Sequence, residues 1–268
     1  MIRLICADLD GTLIGSHGVV HPAIWDAATR ARSAGIRLAI CSGRPAFGVS
    51  REYAERLDPD GWHIFQNGAS VLHLPSGATH SAHFPDETLV WLKQRARATG
   101  RVLELYSDHD YVVDVDTPQT RGHADLLGVP FRARPLDALG APVVRAQWLL
   151  RRDRDEGVLD EPHPGIEISP STSPVMPDTL FVSLMVPGVD KGTGVRAVAE
   201  EYGVSTDEVM FVGDAWNDMA ALRVVGHPVA MGNAEREVRA LAHHVVGDVD
   251  AGGLAEALAL ATRLRGAA

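Results

Sequence analysis

Two aspartates two residues apart, Asp8 and Asp10, stand where the apolar run Ile2-Arg3-Leu4-Ile5-Cys6-Ala7 gives way to a turn that also contains Leu9, Gly11 and Thr12. Residues i and i+2 of an extended chain share a face, and Gly11 permits a tight turn past the strand end. Both carboxylates can therefore be aimed into one pocket. Acids held that close repel unless a cation lies between them. A hard divalent ion such as Mg2+, which takes oxygen ligands in near-octahedral geometry, would relieve the repulsion and offer sites to a phosphate.

A second acidic junction, Gly213-Asp214-Ala215-Trp216-Asn217-Asp218, follows the apolar run Val209 to Val212, and Ser42 and Lys191 stand at two further element ends. The chemistry of these groups is complementary. A carboxylate can attack phosphorus and split a difficult hydrolysis into two displacements through an aspartyl-phosphate, and Asp8 is the candidate. Asp10 is placed to give a proton to the leaving oxygen and later to take one from water. The Ser42 hydroxyl, the Lys191 ammonium and backbone N–H groups around Leu9 to Gly11 could stabilise the transferring phosphoryl oxygens, and Asp214 would complete a metal site.

The elements that must position these groups alternate. Strands are predicted at Ile2 to Ala7, Ile36 to Cys41, Trp62 to Gln66 and Ser70 to Leu74, with helices at His21 to Gly35 and from about Pro45 to Leu57. Such order implies a Rossmann-like parallel sheet, with ligands gathered beyond the carboxyl ends of its strands. The middle of the chain departs from this rule. A helix at Asp86 to Thr99, a weaker one near Thr120 to Leu127, strands at Val102 to Tyr106, Tyr111 to Val115, Val143 to Leu150 and Leu180 to Val186, and a Pro- and Ser-rich stretch from Glu161 to Pro177 suit an inserted α+β unit. Alternation resumes after Pro187. A helix from Lys191 to about Tyr202 precedes the strand Val209 to Val212, and helices and short strands continue to Leu264. The fold class expected is α/β, with a parallel-sheet core at 1–81 and 187–268 and an α+β cap at 82–186.

The chain has 268 residues, 46% hydrophobic and 22% charged, and no apolar stretch approaches the roughly 20 residues of a membrane span. Its opening lacks the features of a secretory leader, so a soluble cytoplasmic protein without membrane partners is expected. The formal net charge of −10 argues against a nucleic-acid backbone binder. Cys6 and Cys41 lie in apolar runs and are expected to be reduced core residues.

The series Asp8-Leu9-Asp10-Gly11-Thr12-Leu13, Ser42-Gly43-Arg44, Lys191-Gly192 and Gly213-Asp214 through Asn217-Asp218 resembles the motifs of the haloacid dehalogenase superfamily of phosphohydrolases. More narrowly it resembles the Cof-type phosphatases with a class IIB cap, whose Asn-Gly-Ala turn is echoed by Asn67-Gly68-Ala69. The resemblance implies that Asp8 is the phosphorylated nucleophile and Asp10 the general acid/base, its main-chain carbonyl also on Mg2+. Ser42 and Lys191 would hold phosphoryl oxygens, Asp214 would ligate Mg2+, and Asp218 would act on it through water or on Lys191. Asn217 would touch the phosphate. The turn residues Leu9, Gly11, Thr12 and Gly43 would line the substrate, and Arg44 and Asn67 would face it. Trp216 stands where relatives often carry a polar residue, and is expected to pack into the core. Arg121, His123 and Arg145 are candidate specificity residues of the cap.

The function expected is a Mg2+-dependent phosphatase of a small phosphorylated metabolite, acting as a monomer or homodimer. A phospho-acceptor signalling module uses similar groups, but it is shorter and places its acid pair before the phosphorylated Asp. A phosphomutase or a sugar-phosphate sensor on the same scaffold is the further alternative, and the intact Asp10 disfavours the sensor.

Overall fold

The computed structural model describes residues 1–173 and 175–266. They form two compact units, one of Met1–Arg44, Ser50–His80 and the chain from Asp190 onward, the other of Pro45–Val49 and Ser81–Val189. In chain order the elements are β1 (Leu4–Ala7), α1 (Ala23–Ser33), β2 (Arg37–Ile40), α2 (Val49–Leu57), β3 (Trp62–Phe65), β4 (Ser70–His73), β5 (Thr79–Ser81), α3 (Asp86–Thr99), β6 (Val102–Tyr106), β7 (Tyr111–Val113), α4 (Pro118–Leu127), β8 (Arg145–Arg151), α5 (Arg152–Asp155), β9 (Glu167–Ser173), β10 (Met176–Met185), α6 (Lys191–Glu201), β11 (Val209–Gly213), α7 (Met219–Val224), β12 (His227–Ala230), α8 (Arg236–Leu241), β13 (His244–Val245) and α9 (Gly253–Gly266).

The first unit is built on a parallel sheet in the order β13-β12-β11-β1-β2. β1 lies between β11 and β2, and Leu4, Ile5, Cys6 and Ala7 are all buried, as a strand covered on both faces requires. Register then fixes the site. Ala7 pairs with Val212 on one side and with Ile40 on the other, so the residues that follow these three strands leave the sheet at the same edge. The helices close around it, α1 packing on α9 and α6 on α7. β3 continues the parallel arrangement only through a bridge from Cys41 to Ile64, and turns back as a three-stranded antiparallel sheet with β4 and β5.

The outer edge of β2 is finished by side chains. The Leu38 N–H donates to Asp58 Oδ2 at 3.2 Å and the Ile40 N–H to His63 Nδ1 at 3.0 Å, while His63 Nε2 bonds the Asp58 carbonyl at 2.8 Å. Both side chains are buried, and they satisfy strand donors that would otherwise lie unpaired in the core.

The second unit is an antiparallel sheet in the order β7-β6-β8-β10-β9. Strand periodicity divides it: Leu103, Leu105, Ala146, Trp148, Leu150, Val182 and Leu184 join one apolar cluster with Leu92 of α3. Alternate positions put Glu104, Tyr106, Arg145 and Gln147 on the other face, where Glu104 accepts from Tyr106 at 2.6 Å and Gln147 at 3.1 Å and bonds His123 of α4 at 3.0 Å. Burial alone would raise the Glu104 pKa, but His123, Tyr106 and Arg145 together bring it below the usual value. Of the three candidate specificity residues, His123 and Arg145 are buried in this network, and Arg121 pairs with Asp116 on the surface.

Three local readings are corrected. α2 starts at Val49 rather than near Pro45, because Gly48 is left-handed (φ +66°) and lies so close to the Leu127 carbonyl that a Cβ there would be 2.1 Å from its oxygen. The stretch 161–177 holds a strand, β9, which carries Pro170 and little apolar pattern because it is the sheet's edge. Its pairing with β10 draws that strand's start forward to Met176. The α4 helix begins at Pro118 rather than Thr120, with Thr117 and Thr120 forming a reciprocal cap around a proline at its first position.

Candidate active site

Asp8 is the first residue past β1, its N–H donating to Val212 O at 2.9 Å and its side chain buried. Lys191, the first residue of α6, has no exposed surface, and its Nζ donates to Asp8 Oδ1 at 2.5 Å and to Asp218 Oδ1 at 2.6 Å. The helix is aimed there by small residues. A Cβ on Gly192 would be 2.7 Å from Ala220 O and one on Gly194 2.5 Å from Ile64 Cγ2, so glycine at both positions lets α6 press onto α7 and β3. Asp190 caps its N-terminus by accepting from the Thr193 N–H at 2.8 Å.

Oxygens of Asp8, Asp214 and Asp218 lie within 4.8 Å of one another. Asp218 is fully engaged, Oδ1 by Lys191 and Oδ2 by the N–H groups of Asp214 (2.9 Å) and Ala215 (3.0 Å). It thus shapes the 214–218 turn, and glycine is needed at 213 because a Cβ there would be 2.5 Å from Asp218 Oδ2. Asp214 accepts from the Thr12 hydroxyl at 2.9 Å. Gly11 is left-handed (φ +87°), and a Cβ on it would be 2.3 Å from Asp214 Oδ2, so only glycine lets the two acidic turns meet.

Burial raises the Asp8 pKa well above the ordinary carboxylate value; Lys191 opposes this, and Asp218, Asp214 and Asp10 add to it. Asp214 is pushed up to about 6, by burial first and then by Asp218. For Lys191 burial acts downward, but Asp218 and Asp8 more than offset it and hold the ammonium above the ordinary lysine value. Three carboxylates around one buried ammonium leave an excess of negative charge, relieved either by protonation or by a cation. An all-oxygen donor set of this sign fits a hard divalent ion.

Ser42 is buried after β2, and its Oγ accepts from the Arg44 N–H at 3.0 Å. The turn that follows β3 clasps this loop: Gln66 N–H donates to Arg44 O and Asn67 N–H to Ser42 O, each at 2.9 Å. Gln66 (φ 52°) and Asn67 (φ 55°) are both left-handed without being glycine, a conformation that costs on the order of 1 kcal/mol or more per residue. Gly68 (φ +97°) sits against the Asp190 carbonyl at the head of α6. Asn217 Nδ2 donates to Asn67 Oδ1 at 3.1 Å, and Gly43 lies against the Asn67 side chain. The loops of Ser42, Lys191 and Asn217 are thereby tied to one strained turn.

The structure brings Asp8, Thr12, Lys191, Asp214 and Asp218 into one cluster and links Ser42, Gly43, Asn67 and Asn217 beside it. Leu9 is wholly buried, so it can offer only its backbone. The Gly11 N–H, expected to serve phosphoryl oxygens, instead donates to Ile14 O at 3.0 Å. Asp10 is set apart from the buried acids, its carboxylate gripped by Arg44 through Nε (2.8 Å) and Nη2 (2.6 Å). Trp216 does not pack into the core. It is 59% exposed, because Asn217 and Asp218 take the inward positions of its short turn.

Sequence reasoning missed Asn233, whose Nδ2 donates to Gly11 O at 2.8 Å while its Oδ1 accepts from the Val249 N–H at 2.9 Å, anchoring the first acidic turn. An Asn between Gly232 and Ala234 just past an apolar run was the available signal.

A conserved-domain description, haloacid dehalogenase-like hydrolase, matches residues 5–126 and 171–258. The chain belongs to that family, within its Cof-type phosphohydrolases, and is a phosphatase. Phosphatase YwpJ of Bacillus subtilis is 25% identical over 280 residues, 95% of this chain and 98% of its own. The 5-amino-6-(5-phospho-D-ribitylamino)uracil phosphatase YwtE of the same organism is 22% identical over 278 residues, 95% of this chain and 96% of its own. A haloacid dehalogenase-like hydrolase from Bacteroides thetaiotaomicron superposes with a TM-score of 0.84 at 26% identity, covering 97% of this chain and 99% of that one. Among the described residues no helix is long and apolar enough to cross a membrane.

Proposed function

We propose that this phosphatase is a Mg2+-dependent phosphomonoesterase of a small phosphorylated metabolite that works through an aspartyl-phosphate on Asp8. The observation that carries the reading is the buried Lys191 ammonium bridging Asp8 and Asp218 beside Asp214. Asp8 and Asp214, with the Asp10 carbonyl, would hold Mg2+, which when bound supplies positive charge toward a phosphoryl group and keeps Asp8 ionised against its buried surroundings.

Lys191 orients the Asp8 carboxylate and offers charge to the oxygens being transferred, and Ser42 adds a neutral donor. Asp8 attacks phosphorus as the ester oxygen departs, and Asp10 protonates that oxygen. Asp10, now ionised, takes a proton from the water that cleaves the acyl phosphate. Asp218 acts through Lys191 and the 214–215 backbone, which it holds in place. Residues 82–186 would serve as the cap that selects the leaving group. The substrate for which YwtE is named carries its phosphate on a ribityl chain, so sugar and sugar-alcohol phosphates are the first class to assay.

The test is phosphate release from p-nitrophenyl phosphate and a panel of such esters, with Mg2+ and after its removal by chelation. Repeated turnover that requires Mg2+ is expected. No release from any ester, or a single turnover that stalls, would contradict the proposal.

A further inference from the structure

The Asp10 carboxylate, to which the reading above gives the proton transfers, is not free in this structure. Arg44 holds both of its oxygens in a two-pronged grip, Nε on Oδ2 at 2.8 Å and Nη2 on Oδ1 at 2.6 Å. This is the geometry in which a guanidinium matches a carboxylate best, and a phosphoryl group offers the same guanidinium an equivalent fork of oxygens with more charge. The pair is accessible, Asp10 with a side chain 55% exposed and Arg44 21%. Its backbone is well placed for such a role. The Arg44 N–H rests on Ser42 Oγ and its carbonyl accepts from Gln66, so the guanidinium is carried by the same loop that presents Ser42.

We propose that Arg44 is a positioning residue that couples Asp10 to occupancy of the site: it grips Asp10 while the site is empty and transfers its fork to the phosphoryl group of an arriving substrate, releasing Asp10 toward the leaving oxygen. While gripped, Asp10 has both oxygens spent and cannot hand a proton to an ester. The exchange breaks two hydrogen bonds to carboxylate and forms two to phosphate, and the released Asp10 carboxylate takes up one proton from water, the proton it then gives to the leaving oxygen. It makes phosphate and the Asp10 carboxylate competitors for one cation, which sets a reciprocal coupling between them.

The inference rests on the proposed phosphatase reading and is tested by binding rather than turnover. Inorganic phosphate is titrated calorimetrically, at saturating Mg2+, into wild type, Asp10→Asn, Arg44→Gln and the double variant; Asp10 is exposed and Arg44 half-buried, and a thermal melt checks that each variant is folded. Asp10→Asn is expected to tighten phosphate by about fivefold, the upper range for a partly exposed ion pair, and Arg44→Gln to weaken it. In the Arg44→Gln background the gain from Asp10→Asn should vanish. Arg44→Lys, which keeps the charge and loses the fork, should keep less than half of the coupling.

An equal gain in both backgrounds would mean that Asp10 merely repels anions, and would overturn the coupling, as would no gain in either. Failure of the underlying reading looks different: wild type would then neither bind phosphate nor release it from any ester.

Discussion

The closest tolerances in the molecule are at single residues. Gly11 combines a left-handed backbone with a Cβ position 2.3 Å from Asp214, so Gly11→Ala should separate the two acidic turns. A loss of at least about a hundredfold in kcat and a destabilisation of about 1–3 kcal/mol are expected, read by steady-state kinetics and urea unfolding. Lys191 poses the opposite problem, a charge whose loss leaves two buried acids without their partner. Lys191→Met in chelator should cost about 3–5 kcal/mol, and an unchanged unfolding midpoint would show that the ammonium is not compensating those acids. The Asp-x-Asp-Gly and Gly-Asp junctions were legible because they place charge where an apolar strand must stop. The grip of Arg44 on Asp10 was not, since nothing local distinguishes an arginine that meets substrate from one that meets a neighbouring acid. Trp216 misled for a related reason: aromatic residues are mostly core material, but here its two successors occupy the inward positions.

At the scale of elements, the strands and helices whose period is set by burial on a defined face were read nearly to the residue, as with α3 and β6. β9 was invisible because a sheet edge asks little of its side chains. His63 shows how an element's boundary depends on a side chain far from any alternation rule. Its ring accepts from β2 and donates to the Asp58 carbonyl, which requires the neutral form, and burial first of all lowers its pKa to about 4 from 6.5. Between those values the unfolded chain binds a proton that the folded chain does not. Stability from this group is therefore complete above pH 6.5 and is lost as pH falls toward 4, on the order of 3 kcal/mol in all. Denaturant melts across this window should show the decline in wild type and a shallower one in His63→Gln; identical slopes would contradict a neutral buried imidazole.

For the molecule as a whole, the site exists because parallel register brings three strand ends to one edge while α6 and the strained Gln66-Asn67 turn close on them. Alternation in the sequence announced the parallel sheet, and the order of the motifs announced which strand ends gather the acids. What it could not announce was which acids are already engaged by the protein, because that depends on hydrogen bonds such as those that occupy Asp218. Relief of the crowded acids by a cation should appear in global stability: saturating Mg2+ at about 100 times its Kd should add about 2.7 kcal/mol to unfolding, and this gain should be absent in Asp214→Asn.

The most direct test of the account is acid quench during turnover of a phosphomonoester with Mg2+, followed by peptide mapping. A phosphoryl group is expected on the peptide that contains Asp8, removable by hydroxylamine as an acyl phosphate is, and missing in Asp8→Asn. An Asp8 that stays unmodified while phosphate is released, or an Asp8→Asn enzyme that still turns over, would contradict it.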